Sequence, residues 1–575
     1  MTKYALISVS DKVNLNIIIE FLHVKGYTIL STGGTYKNIY ENHPEVREFL
    51  IQVSDFTQFP EILGGRVKTL HPKIYGGLLW DDKFDTTGIE KIDLVIVNLY
   101  PFEKTIENPN VTLDDAIENI DIGGVSLIRA AAKNFKNVKL LVSPHDYYHA
   151  TLNFTDNSYW RKMAVKGFDH VTQYDAAITK YLSEDTIHYR KYTSHLKLKY
   201  GCNPYQENSQ LMKMSNSTFP FQVLNGTPGY INSIDAVQSW CLVRELQFST
   251  GLMAAASFKH TAPAGVALAT STESDSASMS AYIKARNSDP LSSFGDFIAI
   301  SGCVDTQCAK YICKCVSDGI IAHDYTLDAL ELLSSKKSGK YIVLRGNKNY
   351  PTGVEYRELG GAVLTQDINR KSITLNDLSP ENIVTKTDRE LGNTEKLDMI
   401  LATITLKYTP SNSIAIATDN VCIGIGAGQQ NRLDCIRLAG NKSREWRLRQ
   451  HPKVKALDTL FCEGVKRQDR INASIQYIRN DFTEVELENW KKLFINEPVT
   501  ITENEKNEFL NEENRKIVLS SDAFMPFRDN VDTAVRFNVS SIVQPGGSTA
   551  DNSVIEACEE YKIPMVFTGA RFFLH

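Results

Sequence analysis

Residues 5–12 read ALISVSDK and residues 27–35 read YTILSTGGT, each a short apolar run that breaks off into small polar residues. Runs of four or five apolar residues bounded by Ser, Thr and Gly mark buried strands that end in loops. The pattern returns where LVIV at 94–97 leads into NLYP at 98–101, and residues 114–120, just before DIGG at 121–124, read as a helix. Strands alternating with helices build an open α/β sheet, whose ligands sit outside the carboxyl ends of the strands. Several of these loops are therefore expected to converge on one pocket.

GGRVKTLHP, residues 64–72, suits such a pocket, because it sets Arg66, Lys68 and His71 beside two glycines with no acid in the segment. Glycine lets backbone N–H groups crowd a bound oxygen, arginine chelates a phosphate in a planar fork, and lysine adds a mobile point charge. A solvated basic loop is the plain alternative for any such run.

The chain of 575 residues has room for several domains, and 42% hydrophobic with 23% charged residues is ordinary for a globular protein. A net charge of −5 argues against a general nucleic-acid binder, although basic loops can still hold one small phosphate. No run of about 18 apolar residues appears. The start, MTKYALISVSDK, opens into a strand without a signal or transit pattern, so a cytosolic protein without membrane contact is expected. The ten cysteines form no CxxC pair, which favours reduced thiols.

The alternation runs to about residue 185, and RKYTSHLKLK at 190–199 is polar and basic, the composition of a linker. Beyond it, buried strands are expected at 254–258, 297–301, 341–344, 413–417 and 542–543, with helical patterns between them. The stretch 480–514, rich in Glu and Lys, reads as an exposed helical insert, and no internal repeat stands out. SFKHTAPAG at 257–265 puts Lys259 and His260 after an apolar strand and before a turn. Such a pair suits proton transfer, since histidine titrates near neutrality and a desolvated lysine can serve as an acid. A turn-capping histidine beside a solvated lysine is the commoner fate of the pair taken alone.

In order along the chain, SVSDK, STGGT, GGRVKTLHP, NLYPF and DIGGVSLIRAAAKN are followed by KYGCNPYQ (199–206), SFKHTAPAG, SSFGDF (292–297) and VSDGIIA (316–322). KYTPSNS (407–413), GIGAGQQNR (424–432), SSDAFMPFRDN (520–530) and a terminal RFFLH complete the series. This ordered set closely resembles the bifunctional purine-biosynthesis family that joins aminoimidazole carboxamide ribonucleotide (AICAR) transformylase to inosine monophosphate (IMP) cyclohydrolase, from about residue 3 to the last. The resemblance implies an α/β protein: a methylglyoxal-synthase-like cyclohydrolase domain at 1–190, a linker at 191–198, and a transformylase domain at 199–575 made of two cytidine-deaminase-like subdomains. It implies formyl transfer from the co-substrate 10-formyltetrahydrofolate to AICAR, giving formyl-AICAR (FAICAR), and dehydrative closure of FAICAR to IMP, with no catalytic metal.

Site roles follow from the same resemblance. Ring closure needs an oxyanion stabiliser and a proton shuttle, for which Lys68 comes first, with Asp121, Tyr100 and Lys133 moving protons or orienting the base. Ser8, Ser10, Lys12, Ser31, Gly33, Gly34, Thr35, Arg66 and Thr69 would cradle the nucleotide. In formyl transfer the attacking amine is conjugated into its ring and is a poor nucleophile, so His260 would take its proton. Lys259 would stabilise the tetrahedral oxyanion or protonate the departing folate nitrogen, and Asn412 would lie near the formyl group. Lys199, Tyr200, Asn232, Gly295, Asp318, Phe524, Asp529 and Arg571 fall on the family's substrate and folate positions. A homodimer with shared transformylase sites is implied, Lys199 reaching the substrate phosphate from the partner chain.

The chain departs from the family pattern in one motif, where LKYGCNPYQ replaces the usual LRYG and NPHQ. Lys199 meets a phosphate without arginine's bidentate fork, and Tyr205 cannot act as a base near neutral pH. Three rival readings differ in kind. A zinc deaminase needs HxE and PCxxC motifs, and no PCxxC occurs. A nicotinamide enzyme is suggested by GIGAG at 424–428, although Gln429 sits where a GxGxxG motif needs glycine. A nucleotide sensor without turnover would leave the Lys259–His260 pair unexplained.

Overall fold

The run Ala5–Val9 lies in the middle of a five-stranded parallel sheet, in a computed structural model that describes residues 2–215, 217–270, 276–348 and 353–575. The strands are β1 (Lys3–Val9), β2 (Tyr27–Ser31), β3 (Leu50–Gln52), β4 (Ile92–Asn98) and β5 (Lys139–Leu141), in the order β3-β2-β1-β4-β5. Leu6, Leu30, Val95 and Val97 pack on one face with the helices Gly123–Lys133 and Asn157–Leu182. Ala5, Ile7, Ile29, Leu94 and Ile96 pack on the other with Leu15–Val24. Burial on both faces is why these strands read as continuous apolar runs. The strand order reverses between β1 and β4, and in open sheets the ligand crevice lies at that point, beyond the carboxyl ends.

The chain divides by its contacts into two compact units, residues 1–190 and 191–575. In the second unit, β6 (Tyr192–Lys197) and β7 (Gln210–Met214) form an antiparallel ribbon. The expected linker at 191–198 is thus largely a strand: its aromatic and β-branched residues suit a pleated surface, and Leu196 and Leu211 pack against the core. An eleven-stranded sheet follows, from β8 (Phe221–Asn225), β9 (Ala254–Lys259), β10 (Ala262–Leu268), β11 (Asp296–Val304), β12 (Ser317–Tyr325) and β13 (Ile342–Gly346). After an exposed hairpin of β14 (Val354–Leu359) and β15 (Ala362–Asp367), the sheet takes in β16 (Ile414–Thr418), β17 (Val421–Gly426), β18 (Val518–Ser521), β19 (Ser541–Gln544) and β20 (Met565–Phe567). Its order is β20-β19-β18-β16-β17-β10-β9-β11-β12-β13-β8.

The structure shows the repeat that the sequence hides. A helix (Tyr230–Thr250), the β9–β10 hairpin, a second helix (Ala277–Ser288) and three parallel strands β11 to β13 are matched in order by Asn393–Lys407, β16–β17, Arg432–Leu448 and β18 to β20. The halves join antiparallel at Ala267 and Val421, so equivalent strands run in opposite directions. In each half a glycine lets helix backbone lie directly on the hairpin. A Cβ on Gly265 would lie 2.1 Å from the Ala285 carbonyl, and one on Gly424 would lie 2.1 Å from that of Ala439. Burial asks only for apolar side chains at most other positions, so the two copies share little sequence.

The stretch 480–514 is not simply exposed. Trp490, Phe494, Ile501 and Leu510 close a separate small core with Phe461 and Tyr477, and the Trp490 Nε1–H donates to the Ala473 carbonyl at 2.9 Å. The helices Glu484–Lys491 and Glu503–Glu512 turn Trp490 and Leu510 inward and keep most of their charges outside, although Lys506 is buried and pairs with Glu503, which composition alone does not reveal.

Candidate active sites

At the carboxyl ends of β1 and β4, Asn98 ties two loops together. Its Oδ1 accepts from the Ser10 N–H (2.7 Å), the Ser10 hydroxyl (2.9 Å) and the Asp11 N–H (3.0 Å), and its Nδ2 donates to the Asp11 carbonyl. Lys12 reaches back to the Ser10 carbonyl, and the Ser8 hydroxyl lies 3.2 Å from that of Thr32. Ser31 and Thr35 are tied into the scaffold: Ser31 is fully buried and donates to the Ile7 carbonyl, while Thr35 both accepts from and donates to the Val9 backbone. Their hydroxyls are spent within the sheet, leaving Gly33 and Gly34 at the head of the helix Gly33–Asn42 to face the crevice.

Lys68 closes this crevice. A Cβ on Gly65 would lie 2.8 Å from Lys68 Cε, and one on Gly33 would lie 3.7 Å from Nζ, so both glycines make room for the lysine. Buried Thr69 touches Gly123, at the start of the helix Gly123–Lys133. Asp121 caps that helix end, its Oδ1 accepting the Gly124 N–H at 2.7 Å. Burial raises the Asp121 carboxyl above its usual range, against the opposing pull of the Gly124 and Tyr100 N–H groups and the Lys68 charge. Lys68, Asp121 and Tyr100 therefore form one group. Arg66 is paired with Glu118, an exposed ion pair that a phosphate can displace, and His71 accepts the Lys73 N–H as a helix cap.

Lys133 is not brought into this group. It ends the helix that Asp121 caps, about 15 Å along the axis from Gly123 at 1.5 Å per residue. There it lines a cavity of about 550 Å³ with Arg129, Arg161, Phe135 and Phe168. The motif DIGGVSLIRAAAKN spans a whole helix, and a helix separates its two ends.

In the second unit, His260 and Thr261 form the turn of the β9–β10 hairpin, both left-handed with φ of 54° and 62°. Two-residue hairpins favour this geometry, but a β-branched threonine rarely adopts it, at a cost of about 1–3 kcal/mol. Asp235, four per cent exposed, holds the turn by accepting the Thr261 N–H at 2.8 Å. Burial raises its carboxyl to about 6, with Asp318 acting in the same sense and His260 against it. Lys259 Nζ donates to the Phe294 carbonyl at 2.7 Å, which places it against Gly295, where φ is 78°. Asn232 lies one turn before Asp235 on the same helix face, and its Oδ1 accepts from Tyr200 Oη (2.9 Å) and the Gly229 N–H (3.1 Å). Burial and the negative Asp318 raise the Tyr200 phenol, and Asp318 itself pairs with Lys337 at 3.1 Å.

The Lys199–Tyr200 segment is pinned to its own chain, Lys199 donating its N–H to the Pro228 carbonyl and Tyr200 accepting that of Tyr230. The backbone at Lys199 thus lies at the helix end that also carries Asn232 and Asp235, the residues next to the His260 turn. Tyr205 is exposed on a turn.

Asn412 stands at the start of β16, on the same edge of the sheet as His260, because β9 and β16 run in opposite directions. Two strands lie between them, a separation of about 14 Å. Its Oδ1 accepts from Arg432 Nη2 at 2.9 Å, and its Nδ2 donates to the Gln429 carbonyl at 3.2 Å. Buried Arg432 also pairs with Asp522, which accepts the Ser413 N–H at 3.0 Å. The C-terminal RFFLH folds over this edge, where the Phe572 N–H meets the Asp522 carbonyl and the Leu574 N–H meets the Ser411 hydroxyl. Arg571 stacks on Phe573 at 4.7 Å, Phe524 is part-exposed, and Asp529 opens the helix Asp529–Val535. Sequence reading passed over Asn98, Asp235, Arg432 and Asp522, which lie in or near the motifs but act on backbone distant in the chain.

Gly424 and Gly426 of GIGAG lie inside β17 against the helix Arg432–Leu448, so the segment is a packing seam and no phosphate loop. This removes the feature that suggested a nicotinamide enzyme.

Two family models match the chain in succession. An MGS-like domain matches residues 15–126 and the AICARFT/IMPCHase bienzyme model matches residues 131–442, over half of the chain. The "Bifunctional purine biosynthesis protein PurH" of Persephonella marina is 34% identical over 604 aligned positions, and that of a Thermoanaerobacter species is 34% identical over 601, each covering 100% of both chains. A solved structure, "Crystal structure of ForH", aligns at 29% identity over 32% of this chain and 100% of its own, with a TM-score of 0.28. With relatives matched end to end at this identity, the chain belongs to the AICARFT/IMPCHase bienzyme family.

Proposed function

We propose that the second unit transfers a formyl group to the amine of AICAR and that the first closes the product, FAICAR, to IMP with loss of water. The formyl donor on this reading is 10-formyltetrahydrofolate, and the protein works in the cytosol. The observation that carries the reading is the chemistry gathered at two sheet edges: Lys68, Asp121 and Tyr100 beyond β1 and β4, and Lys259 and His260 on the edge that also bears Asn412. His260 takes the proton of the attacking amine. Lys259, drawn to the Phe294 carbonyl, meets the charge that develops on the formyl oxygen. Asn412, fixed by Arg432, orients the formyl end of the folate, and exposed Phe524 offers an apolar surface to its ring. In the first unit Lys68 receives the oxyanion of ring closure, and Asp121, whose carboxyl burial raises above its usual range, moves the proton.

We further propose a homodimer in which each transformylase site takes one group of residues from each chain. Within a chain, Lys199, Tyr200, Asn232, Lys259, His260 and Asp318 form one group; Asn412, Phe524 and Arg571 belong to the other half. The gap of about 14 Å between β9 and β16 supports this arrangement, since a second copy can bring complementary groups closer than one chain does. One coupled assay tests the whole reading. AICAR and 10-formyltetrahydrofolate mixed with the protein should yield IMP, and absence of both FAICAR and IMP would refute it. No helix among the described residues is long and apolar enough to cross a membrane.

A further inference from the structure

The two halves of the second unit repeat a polar device as well as a strand order. In each, a glycine caps a helix, Gly229 or Gly392, and an aspartate follows six residues later, Asp235 or Asp398. That aspartate's Oδ1 accepts the N–H of the second residue of the hairpin turn, Thr261 at 2.8 Å in one half and Asn420 at 2.7 Å in the other. All four turn residues are left-handed, with φ of 54° and 62° at His260 and Thr261, and 54° and 64° at Asp419 and Asn420. Asp and Asn enter this region readily, whereas a β-branched threonine resists it. The same bond therefore has different consequences. At Asp419–Asn420 it confirms a conformation the residues already favour, and at His260–Thr261 it holds one that they do not. Only the second of these turns carries the Lys259–His260 pair.

We propose that Asp235 is a positioning residue for formyl transfer, which by holding the Thr261 N–H fixes the left-handed turn and with it the direction of the His260 imidazole. This rests on the reading of His260 as the base. Asp235 sits one helical turn from Asn232, so a single helix end fixes both the Tyr200 hydroxyl and the catalytic turn. The twin in the other half supplies an internal control: Asp398 makes the same bond, is equally buried, and holds a turn without a base.

The test uses the full-length chain and measures kcat and KM for formyl transfer, with the urea midpoint of the second unit as the check on its folding. Asp235→Ala should lower kcat by about 10- to 100-fold with little change in KM for AICAR, the loss expected when a reacting group is misplaced by about 1 Å. Asp235→Asn, which keeps an oxygen acceptor, should recover most of it, and Asp398→Ala should leave kcat near wild type. Glycine at 261 accepts the left-handed turn unaided, so in a Thr261→Gly background Asp235→Ala should cost far less. This last comparison also serves if the single Asp235→Ala variant does not fold. Equal losses for Asp235→Ala and Asp398→Ala, a rise in KM alone, or an undiminished loss in the Thr261→Gly background would overturn the proposal. His260→Ala separates the two levels of the argument: if it is inactive while Asp235→Ala is fully active, only positioning fails. If His260→Ala is itself active, the base assignment falls and takes the proposal with it.

Discussion

Lys407, the first residue of KYTPSNS, ends a helix inside the second unit with a side chain 7% exposed, facing Glu245 at 5%. Its ammonium lies 3.0 and 2.9 Å from the two Glu245 oxygens and 2.9 Å from the Lys371 carbonyl, and the Tyr408 hydroxyl donates to the same carboxylate at 2.6 Å. Lys407→Met keeps the side-chain volume and removes the counter-charge, leaving the buried Glu245 carboxyl with the Tyr408 hydroxyl but without its cation. Breaking one partner of so buried a pair costs about 3–5 kcal/mol, whereas replacing both partners by apolar residues is often neutral. Lys407→Met should therefore destabilise the second unit by that energy, read as a lower urea midpoint, and Lys407→Met/Glu245→Leu should restore most of it. The readout is formyl transfer after incubation at intermediate urea, with ring closure in the same tubes as the reference for the first unit. Because Asn412 lies five residues on from Lys407, formyl transfer should fail first while ring closure survives. An unchanged midpoint for Lys407→Met, or a double variant as unstable as the single, would show that the pair is not buried and coupled as described.

Lys68→Ala should abolish ring closure and spare formyl transfer, so FAICAR should accumulate in the coupled reaction; loss of both activities in a folded protein would contradict the two-site division. Mixed dimers of His260→Ala with Arg571→Ala chains should regain formyl transfer, since one of the two sites in each dimer is then intact. His260→Ala mixed with Lys199→Ala should not, because these residues go together, and recovery by that pair instead would reverse the grouping. Burial, aided by Asp419 and Glu395, raises Asp398 to about 8 in the folded chain, against about 3.9 when unfolded. The folded state thus holds a proton that the unfolded state has lost, so this residue's contribution is full below about pH 4 and declines as pH rises towards 8. Asp398→Asn should flatten that decline in urea titrations, and an unaltered slope would show that Asp398 is ionised in the native chain.

Strand positions were the most legible part of this sequence, because strands buried on two faces leave largely apolar runs such as LVIV at 94–97 and Ala254–Phe258, broken only by Ser257. Motifs also showed which residues stand at strand ends, as with Lys259, His260 and Asn412. Side-chain direction was not legible. Lys133 shares a motif with Asp121, yet eleven helical residues carry it away, and Ser31 and Thr35 turn their hydroxyls inward to the sheet. The repeat was visible only in retrospect, as a glycine cap with an aspartate six residues on, then a turn with a glycine four residues past its end: Gly229, Asp235 and Gly265 beside Gly392, Asp398 and Gly424. Too few positions are held by backbone geometry for periodicity to expose them.

The seam at Ala267 and Val421 decides how this protein can be cut. Each half of the second unit has its own helices, hairpin and parallel strands and looks like a module, yet separation would turn β10 or β17 into a sheet border. Those strands run seven and six residues, while the present borders, β20 and β8, run three and five. Long apolar borders recruit other chains, so an isolated half should self-associate on expression. The two activities should therefore be separated by a cut near residue 190, leaving 191–575 whole.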